Sequence, residues 1–262
     1  MGNVNIHRSS IIEEGAQIGD GAFIGPFCFV GSKVKIGKNV KLKSHVVMKG
    51  DTSLGDNSIV FPFAVLGEIP QDRKFNGEDT SLRIGKRNQI REHVTMNAGT
   101  KGGGGITEVG SDGLFMAGSH IAHDVKVGND VILVNNASLA GHCIIENSVI
   151  VGGLSGVHQF VRIGEGAIIG AVTMVTNDVI PFGLVQAPRG ELDGLNLVGL
   201  KRKGVPRADI MALRAAFQTL SQGDGTFQDR AQRLTDDSDS EYVEKIVSFV
   251  LGRSDRSFLT PR

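Results

Sequence analysis

The chain has 262 residues with 28 basic and 28 acidic side chains, and so carries no net charge. That balance excludes a general nucleic-acid binder, which would be strongly basic. No stretch reads as a signal peptide or as an apolar run long enough to span a bilayer, and there are only two cysteines, so a cytoplasmic chain is expected.

From Ile6 every sixth residue is apolar: Ile12, Ile18, Ile24, Val30, Ile36, Leu42, Met48, Leu54, Val60, Leu66. The series resumes at Ile84, Ile90 and Met96, and again from Val109 through Phe115, Ile121, Val127, Leu133, Leu139, Ile145, Val151, Val157, Ile163 and Ile169 to Val175. Four residues after most of them comes a small or β-branched residue, such as Ala22, Val40, Thr52 or Ala137. Neither a helix nor a lone strand needs a period of six, but a solenoid of short strands and turns does. Large and small inward positions together fill a narrow core. Glycine follows many of the apolar residues, as at Gly19, Gly25, Gly37 and Gly55. Glycine and asparagine are expected to take the corners, where positive φ costs them little. Cys28 and Cys143 fall on the small inward position and are expected as reduced core residues. The pattern resembles that of hexapeptide-repeat parallel β-helices, which implies three hexads to a triangular coil and roughly nine coils at the ~4.8 Å strand spacing, stacked as a prism.

The series breaks twice, at 67–83 (GEIPQDRKFNGEDTSLR) and at 101–108 (KGGGGITE). Insertions in a solenoid tend to gather on one face, often the binding face. The repeats are expected to occupy residues 1–185, followed by a linker at 186–204 and a helical domain at 205–262. Pro206 suits a first helical turn, and Ile210, Leu213, Ala216, Phe217 and Leu220 recur at helical spacing. A second helix is expected from Thr226, and a third after Ser240 that stops at Gly252.

Five of the seven histidines lie between residues 93 and 158: His93, His120, His123, His142 and His158. Counted modulo 18, Ile121, Leu139 and Val157 share one vertical line. His123, His142 and His158 then fall on one side of the prism on three adjacent coils, with His142 above Asp124 and Gly141 above His123. His123-Asp124 reads as a base with an acidic partner, and the Gly141 N–H as an oxyanion donor. Two other readings compete: structural histidines, and a metal site. The spacings of 19 and 16 between the three histidines differ from the close pair plus distant third of zinc-holding β-helix enzymes, so no metal is expected.

With GEIPQDRKF (67–75), HIAHD (120–124), NNASLAGH (135–142), GVHQF (156–160) and GLKRKG (199–204), the chain resembles the UDP-N-acetylglucosamine acyltransferase family of lipid A biosynthesis, along nearly its whole length. The resemblance implies a left-handed parallel β-helix with a small α-helical domain. It also implies a homotrimer with active sites between neighbouring prisms. In the implied reaction a 3-hydroxyacyl chain passes from the phosphopantetheine of acyl carrier protein to the 3-OH of UDP-N-acetylglucosamine, with no further cofactor. His123 would be the general base, Asp124 its partner and Gly141 the oxyanion donor. Gln71, Asp72, Lys74, His120, His142, His158, Gln159, Asn196 and Arg202 would bind substrate. Lys201, Arg202, Lys203 and Arg207 form a basic run suited to an acidic carrier protein. A related N-acyltransferase family carries an extra N-terminal domain; here the repeats start at Ile6.

Ala171 matches a position that closes the acyl groove, and its methyl suggests about 10–12 carbons rather than 14. Two positions depart from the family pattern: Asn97, where relatives often carry His, and Val198, where they often carry Glu. An amine acceptor, the 3-amino analogue of the sugar nucleotide, is therefore an alternative. A coenzyme A-dependent hexapeptide acetyltransferase is another.

Overall fold

The inward apolar residues fix the register. In a computed structural model describing residues 4–186, 188–235 and 239–261, Ile121 pairs with Leu139 and Leu139 with Val157, each one 18-residue coil apart. Repeated along the chain, this pairing builds three sheets of eleven, nine and eight strands, parallel but for the last strand of the first, the faces of a triangular parallel β-helix. The first face starts at Asn5–Ile6, the second at Ile11–Ile12 and the third at Gln17–Ile18. Most strands are two residues long, one pointing in and one out. From Ile24 to Val175 the inward residues of the series are buried, and full burial of such a side chain contributes about 1.5–3 kcal/mol. Phe115 is the one aromatic among them. It fits because Gly113 opposes it: a Cβ there would stand 2.7 Å from the Phe115 ring. Cys28 and Cys143 are buried and unbridged, and burial pushes the Cys143 thiol up to about 12.

The corners differ in part from expectation. Asn39, Asn57 and Asn136 do take positive φ, but so do Phe27, His45, Phe63, His93, His142 and Phe160. The left-handed region costs a bulky residue about 1–2 kcal/mol. Ring stacking of about 0.5–1.5 kcal/mol per pair is of similar size. Phe27, His45, Phe63 and His93 form such a ladder, with successive centroids 5.0, 5.0 and 5.1 Å apart. Gly19, Gly25, Gly37 and Gly55 are not left-handed. They serve close approach between coils: a Cβ on Gly55 would stand 2.6 Å from the carbonyl carbon of Gly85.

Both insertions leave from the same edge, where the second face turns into the third. The first runs between strands Val65–Glu68 and Ser81–Ile84, the second between Thr95–Asn97 and Ile106–Val109. The irregular parts thus end earlier than the breaks in the repeat, at 80 and 105 instead of 83 and 108, because the third-face strands there are four residues long and bury Leu82 and Thr107.

The stretch 186–204, expected as a linker, carries regular structure. Strand Glu191–Leu195 pairs antiparallel with Gly183–Gln186 and ends the first face; helix α1 (Leu197–Arg202) follows. Helices α2 (Arg207–Ser221), α3 (Phe227–Arg233) and α4 (Glu241–Leu251) follow Pro206, Thr226 and Ser240 directly, with Pro206 as the N-cap and not in the first turn as expected. Thr226 and Asp229 form a full capping box. Ile210, Leu213, Leu220, Val243, Ile246 and Val250 are buried among these helices, with Phe217 only partly so. Residues after α4 return to the last coil, bridging Phe258 to Asp178 and Pro261 to Leu192.

Candidate active site

The edge that releases both insertions also carries His123, Asp124, Gly141, His142, His158 and Gln159. His123 and Asp124 follow the second-face strand His120–Ile121. Asp124 turns the corner with φ 60°, which brings its carboxylate back to its own neighbour: Oδ2 lies 2.8 Å from Nδ1 of His123. Both residues are buried, at 6% and 5% exposure.

Thr100 and the second insertion hold that carboxylate from below. The backbone N–H of Thr100 donates to Oδ1 at 2.8 Å, and its hydroxyl donates to Oδ2 at 2.6 Å. The Asp124 N–H donates to the Thr107 hydroxyl at 2.8 Å. The glycine run has a geometric reason. A Cβ on Gly103 would collide with the carboxylate of Asp124, while Gly104 and Gly105 take φ of 98° and 81°. Every polar atom around the carboxylate donates to it, so Nδ1 of His123 carries a proton towards Asp124 and Nε2 is left with a free lone pair.

One coil above, Gly141 faces the His123 ring: a Cβ there would stand 2.5 Å from Cε1 and 2.7 Å from Nε2. Among the described residues the Gly141 N–H has no acceptor, while its carbonyl accepts from Phe160. A base and an unsatisfied N–H thus sit side by side.

His142 lies edge-on to His123, with centroids 5.0 Å apart, and its Nδ1 is 3.8 Å from the Asp124 carboxylate. Its other face stacks on Phe160 at 4.5 Å. Burial pushes its basicity below the ordinary histidine value, and the charges of Asp72 and Lys74 also bear on it, in opposite senses. Within that insertion Asp72 accepts from the N–H of Lys74 at 3.0 Å, and Gln71 and Lys74 are exposed. His120 points outward from the second face, its Nδ1 2.7 Å from the Thr95 hydroxyl, and burial lowers its basicity too. His158 keeps to the same edge but pairs with Arg256, at 2.7 Å, instead of with the other histidines; Gln159 is exposed beside it. His93 belongs to the ring ladder on another edge.

Three expected residues lie apart from this set within one chain. Asn196 caps α1 by accepting from the Gly199 N–H at 3.0 Å, and its amide donates to the Gly166 carbonyl at 3.0 Å, on the edge between the third and first faces. Arg202 is exposed at the end of α1, beside Lys201 and Lys203, the last of which reaches Asp130 at 3.4 Å. Ala171 is exposed on the edge between the first and second faces. Asn97 holds the start of the first insertion through the Ile69 carbonyl at 3.0 Å, while its own Oδ1 is buried without a hydrogen-bond partner among the described residues. Val198 is 61% exposed.

Thr100, Thr107, Phe160 and Arg256 escaped the sequence reading. Phe160 was within reach of it, standing 18 residues after His142. Thr100 was not, because it leads into a loop that leaves the lattice.

Comparisons with known proteins bear on the family and the fold. Residues 178–259 match the family described as UDP N-acetylglucosamine O-acyltransferase, domain 2. The chain is 67% identical over 203 residues to the acyl-[acyl-carrier-protein]–UDP-N-acetylglucosamine O-acyltransferase of Paracoccus denitrificans, covering 78% of this chain and 77% of that one. It is 43% identical over 261 residues to the protein of the same name from Agrobacterium fabrum, covering 99% and 96%. Among solved structures, the UDP-N-acetylglucosamine acyltransferase of Campylobacter jejuni superposes with a TM-score of 0.93 at 40% identity, covering 98% of this chain and all of that one.

Proposed function

The chain belongs to the family of acyl-[acyl-carrier-protein]–UDP-N-acetylglucosamine O-acyltransferases, and from that membership we propose the following scheme for its own residues. It is an acyltransferase, and its substrates are an acyl carrier protein thioester and UDP-N-acetylglucosamine. The acyl group is a 3-hydroxyacyl chain, the acceptor is the sugar 3-OH, and the product enters lipid A biosynthesis at its first step.

The observation that carries the scheme is the adjacency of His123, with Nδ1 held by Asp124, and the unsatisfied N–H of Gly141. Nε2 of His123 takes the proton of the 3-OH as the oxygen attacks the thioester carbonyl. The tetrahedral oxyanion accepts from the Gly141 N–H. The C–S bond then breaks, and the phosphopantetheine sulfur leaves with the proton that His123 holds. Asp124 stabilises the imidazolium between these steps. No cofactor of the enzyme's own enters, since the carrier protein brings the activated acyl group.

The active species is a homotrimer in the cytoplasm. Support for the trimer comes from the separation of Asn196, Arg202 and Ala171 from the His123 edge within one chain: a cleft between two prisms would gather all of them. Gln71, Asp72 and Lys74 then meet the sugar nucleotide together with Asn196 and Arg202, the guanidinium facing the diphosphate. His120, His142, His158 and Gln159 line the cleft. The exposed run Lys201, Arg202, Lys203 and Arg207 receives the acidic carrier protein. Ala171 limits the chain to about 10–12 carbons, one methyl being felt against a packed wall. Among the described residues no helix is long and apolar enough to cross a membrane.

The test is a thioester-consumption assay with UDP-N-acetylglucosamine as acceptor and C8 to C16 chains on either carrier protein or coenzyme A. Turnover with carrier protein, best near C10–C12, is expected; use of coenzyme A alone would overturn the donor. A second reading, the 3-amino sugar nucleotide as acceptor, is favoured by the unpartnered Oδ1 of Asn97. Side-by-side rates with the two acceptors separate them, and the 3-hydroxy sugar is expected to be the faster.

A further inference from the structure

The last residues of the chain do more than close the fold. After α4 the chain turns back over the final coils as a strap, and Asp178 fastens it at three points. The Asp178 N–H donates to the Ser257 carbonyl at 2.8 Å, its own carbonyl accepts from the Leu259 N–H at 2.8 Å, and its carboxylate accepts from the Ser254 hydroxyl at 2.6 Å. That carboxylate is itself fully buried and pairs with Arg162 at 2.7 Å. Phe258 packs against Phe227 and Phe249 of the helices, with centroids 5.5 and 6.2 Å apart. Arg256 therefore leaves a segment pinned on both sides.

Its guanidinium makes two contacts. Nη2 lies 2.7 Å from Nδ1 of His158, and Nε donates to the Gln159 carbonyl at 3.1 Å. An arginine has only donors. The 2.7 Å contact thus requires a lone pair on Nδ1, so the ring proton of neutral His158 is on Nε2. The Gln159 carbonyl, 3.3 Å from Nδ1, is the competing acceptor that would pull a proton to Nδ1, and Arg256 occupies one of its two lone pairs. The two contacts favour one tautomer together: one makes Nδ1 an acceptor, and the other weakens the pull of its rival partner.

We propose that Arg256 is a positioning residue for acyl transfer, which fixes His158 as the Nε2–H tautomer so that it offers the cleft a donor at a set place. His123 and His158 are thereby both held at Nδ1 and free at Nε2, but in opposite states: Nε2 of His123 presents a lone pair, and Nε2 of His158 presents an N–H. The proposal rests on the reading of His158 as a cleft residue, and its test has a readout that does not depend on turnover.

Nitrogen-15 NMR of imidazole-labelled protein, with His158→Gln used to assign the signal, reads the tautomer directly. Wild-type His158 is expected to show an unprotonated Nδ1 and a protonated Nε2. In Arg256→Ala the two signals should move towards the averaged values of a free ring, and Arg256→Lys, which keeps a cationic donor group, should shift them back. Loss of one charge-assisted hydrogen bond, about 1.5–3 kcal/mol, corresponds to a fall of roughly 10- to 100-fold in turnover. That fall should be absent when Arg256→Ala is made in a His158→Gln background. Identical His158 signals in wild type and Arg256→Ala overturn the proposal. So does an equal fall in both backgrounds, which would mean that Arg256 acts on the fold alone. If the protein shows the tautomer but no acyl transfer, the assigned reaction fails and the tautomer assignment stands.

Discussion

Asp124 reaches the ring of its own chain neighbour, His123, because its backbone is left-handed: φ of 60° folds the carboxylate back to within 2.8 Å of Nδ1. Sequence adjacency alone would point the two side chains apart on an extended strand. The corner of the prism makes the pair.

His123→Ala and Asp124→Asn are each expected to lower kcat by about 10²–10⁴, the usual worth of a positioned general base. The double variant should be little worse than His123→Ala, since the two act as one unit. Steady-state rates on folded protein check this; wild-type turnover in His123→Ala would remove it from the role.

Thr100 supplies both a backbone and a hydroxyl hydrogen bond to Asp124. Thr100→Val keeps the first and loses the second. One charge-assisted bond, about 1.5 kcal/mol, predicts roughly a tenfold drop in kcat with little change in KM for the nucleotide. Thr100→Ser should restore the rate. An unchanged rate in Thr100→Val would show that the backbone contact suffices.

Gly141→Ala places a methyl 2.5 Å from Cε1 of His123, so the ring must move. We expect a loss of turnover of at least tenfold, from displacement of a group only 1 Å or so out of line, with a thermal midpoint within a few degrees of wild type. A variant as active as wild type would argue against the packing of ring on glycine.

How much of this was legible in the sequence depends on whether a residue obeys the lattice. The pairing of Ile121, Leu139 and Val157 followed from counting by 18, and so did the stacking of His142 over Asp124. Gly141 over His123 came from the same count. The aromatic corners were misjudged because positive φ was assigned by residue preference, whereas ring stacking between coils offsets the strain at Phe63 and Phe160. Thr100 and Arg256 were out of reach for another reason: each contacts the site from a segment outside the repeat, and Arg256 meets His158 across 98 residues of sequence.

Burial lowers the basicity of His120 and His142 from the ordinary 6.5. Between the depressed folded values and 6.5 the unfolded chain holds more protons than the folded one, so stability rises with pH there. This contribution is complete above about pH 6.5 and is lost as the pH falls below it. Urea midpoints measured from pH 7.5 to 5 should decline on the acid side, and a His120→Gln, His142→Gln variant should show a shallower decline. An equally steep decline in the variant would assign the effect elsewhere.

His123, Asp124 and His142 bring ligand atoms within 4.8 Å of one another, close enough to hold a cation. Yet the Asp124 oxygens already accept from Thr100 and His123. Dialysis against a chelator is therefore expected to leave turnover unchanged, and a loss restored by added zinc would reverse the assignment.

The two insertions show how the chain keeps time. Leu66 and Ile84 stand eighteen residues apart, and Met96 and Val109 thirteen apart, where the regular step is six. Thirteen is no multiple of six, yet the columns above both loops run true, with Val109 still paired to Ile84 and Val127. The prism therefore counts faces, not residues. An edge behaves as a clutch: length can be added or removed there while every strand beyond it stays in phase, whereas dropping one whole hexad elsewhere would rotate all later coils by a third of a turn. The edge that carries His123 is thus the place where this chain can change its loops without disturbing the columns that hold His123 and Gly141 together.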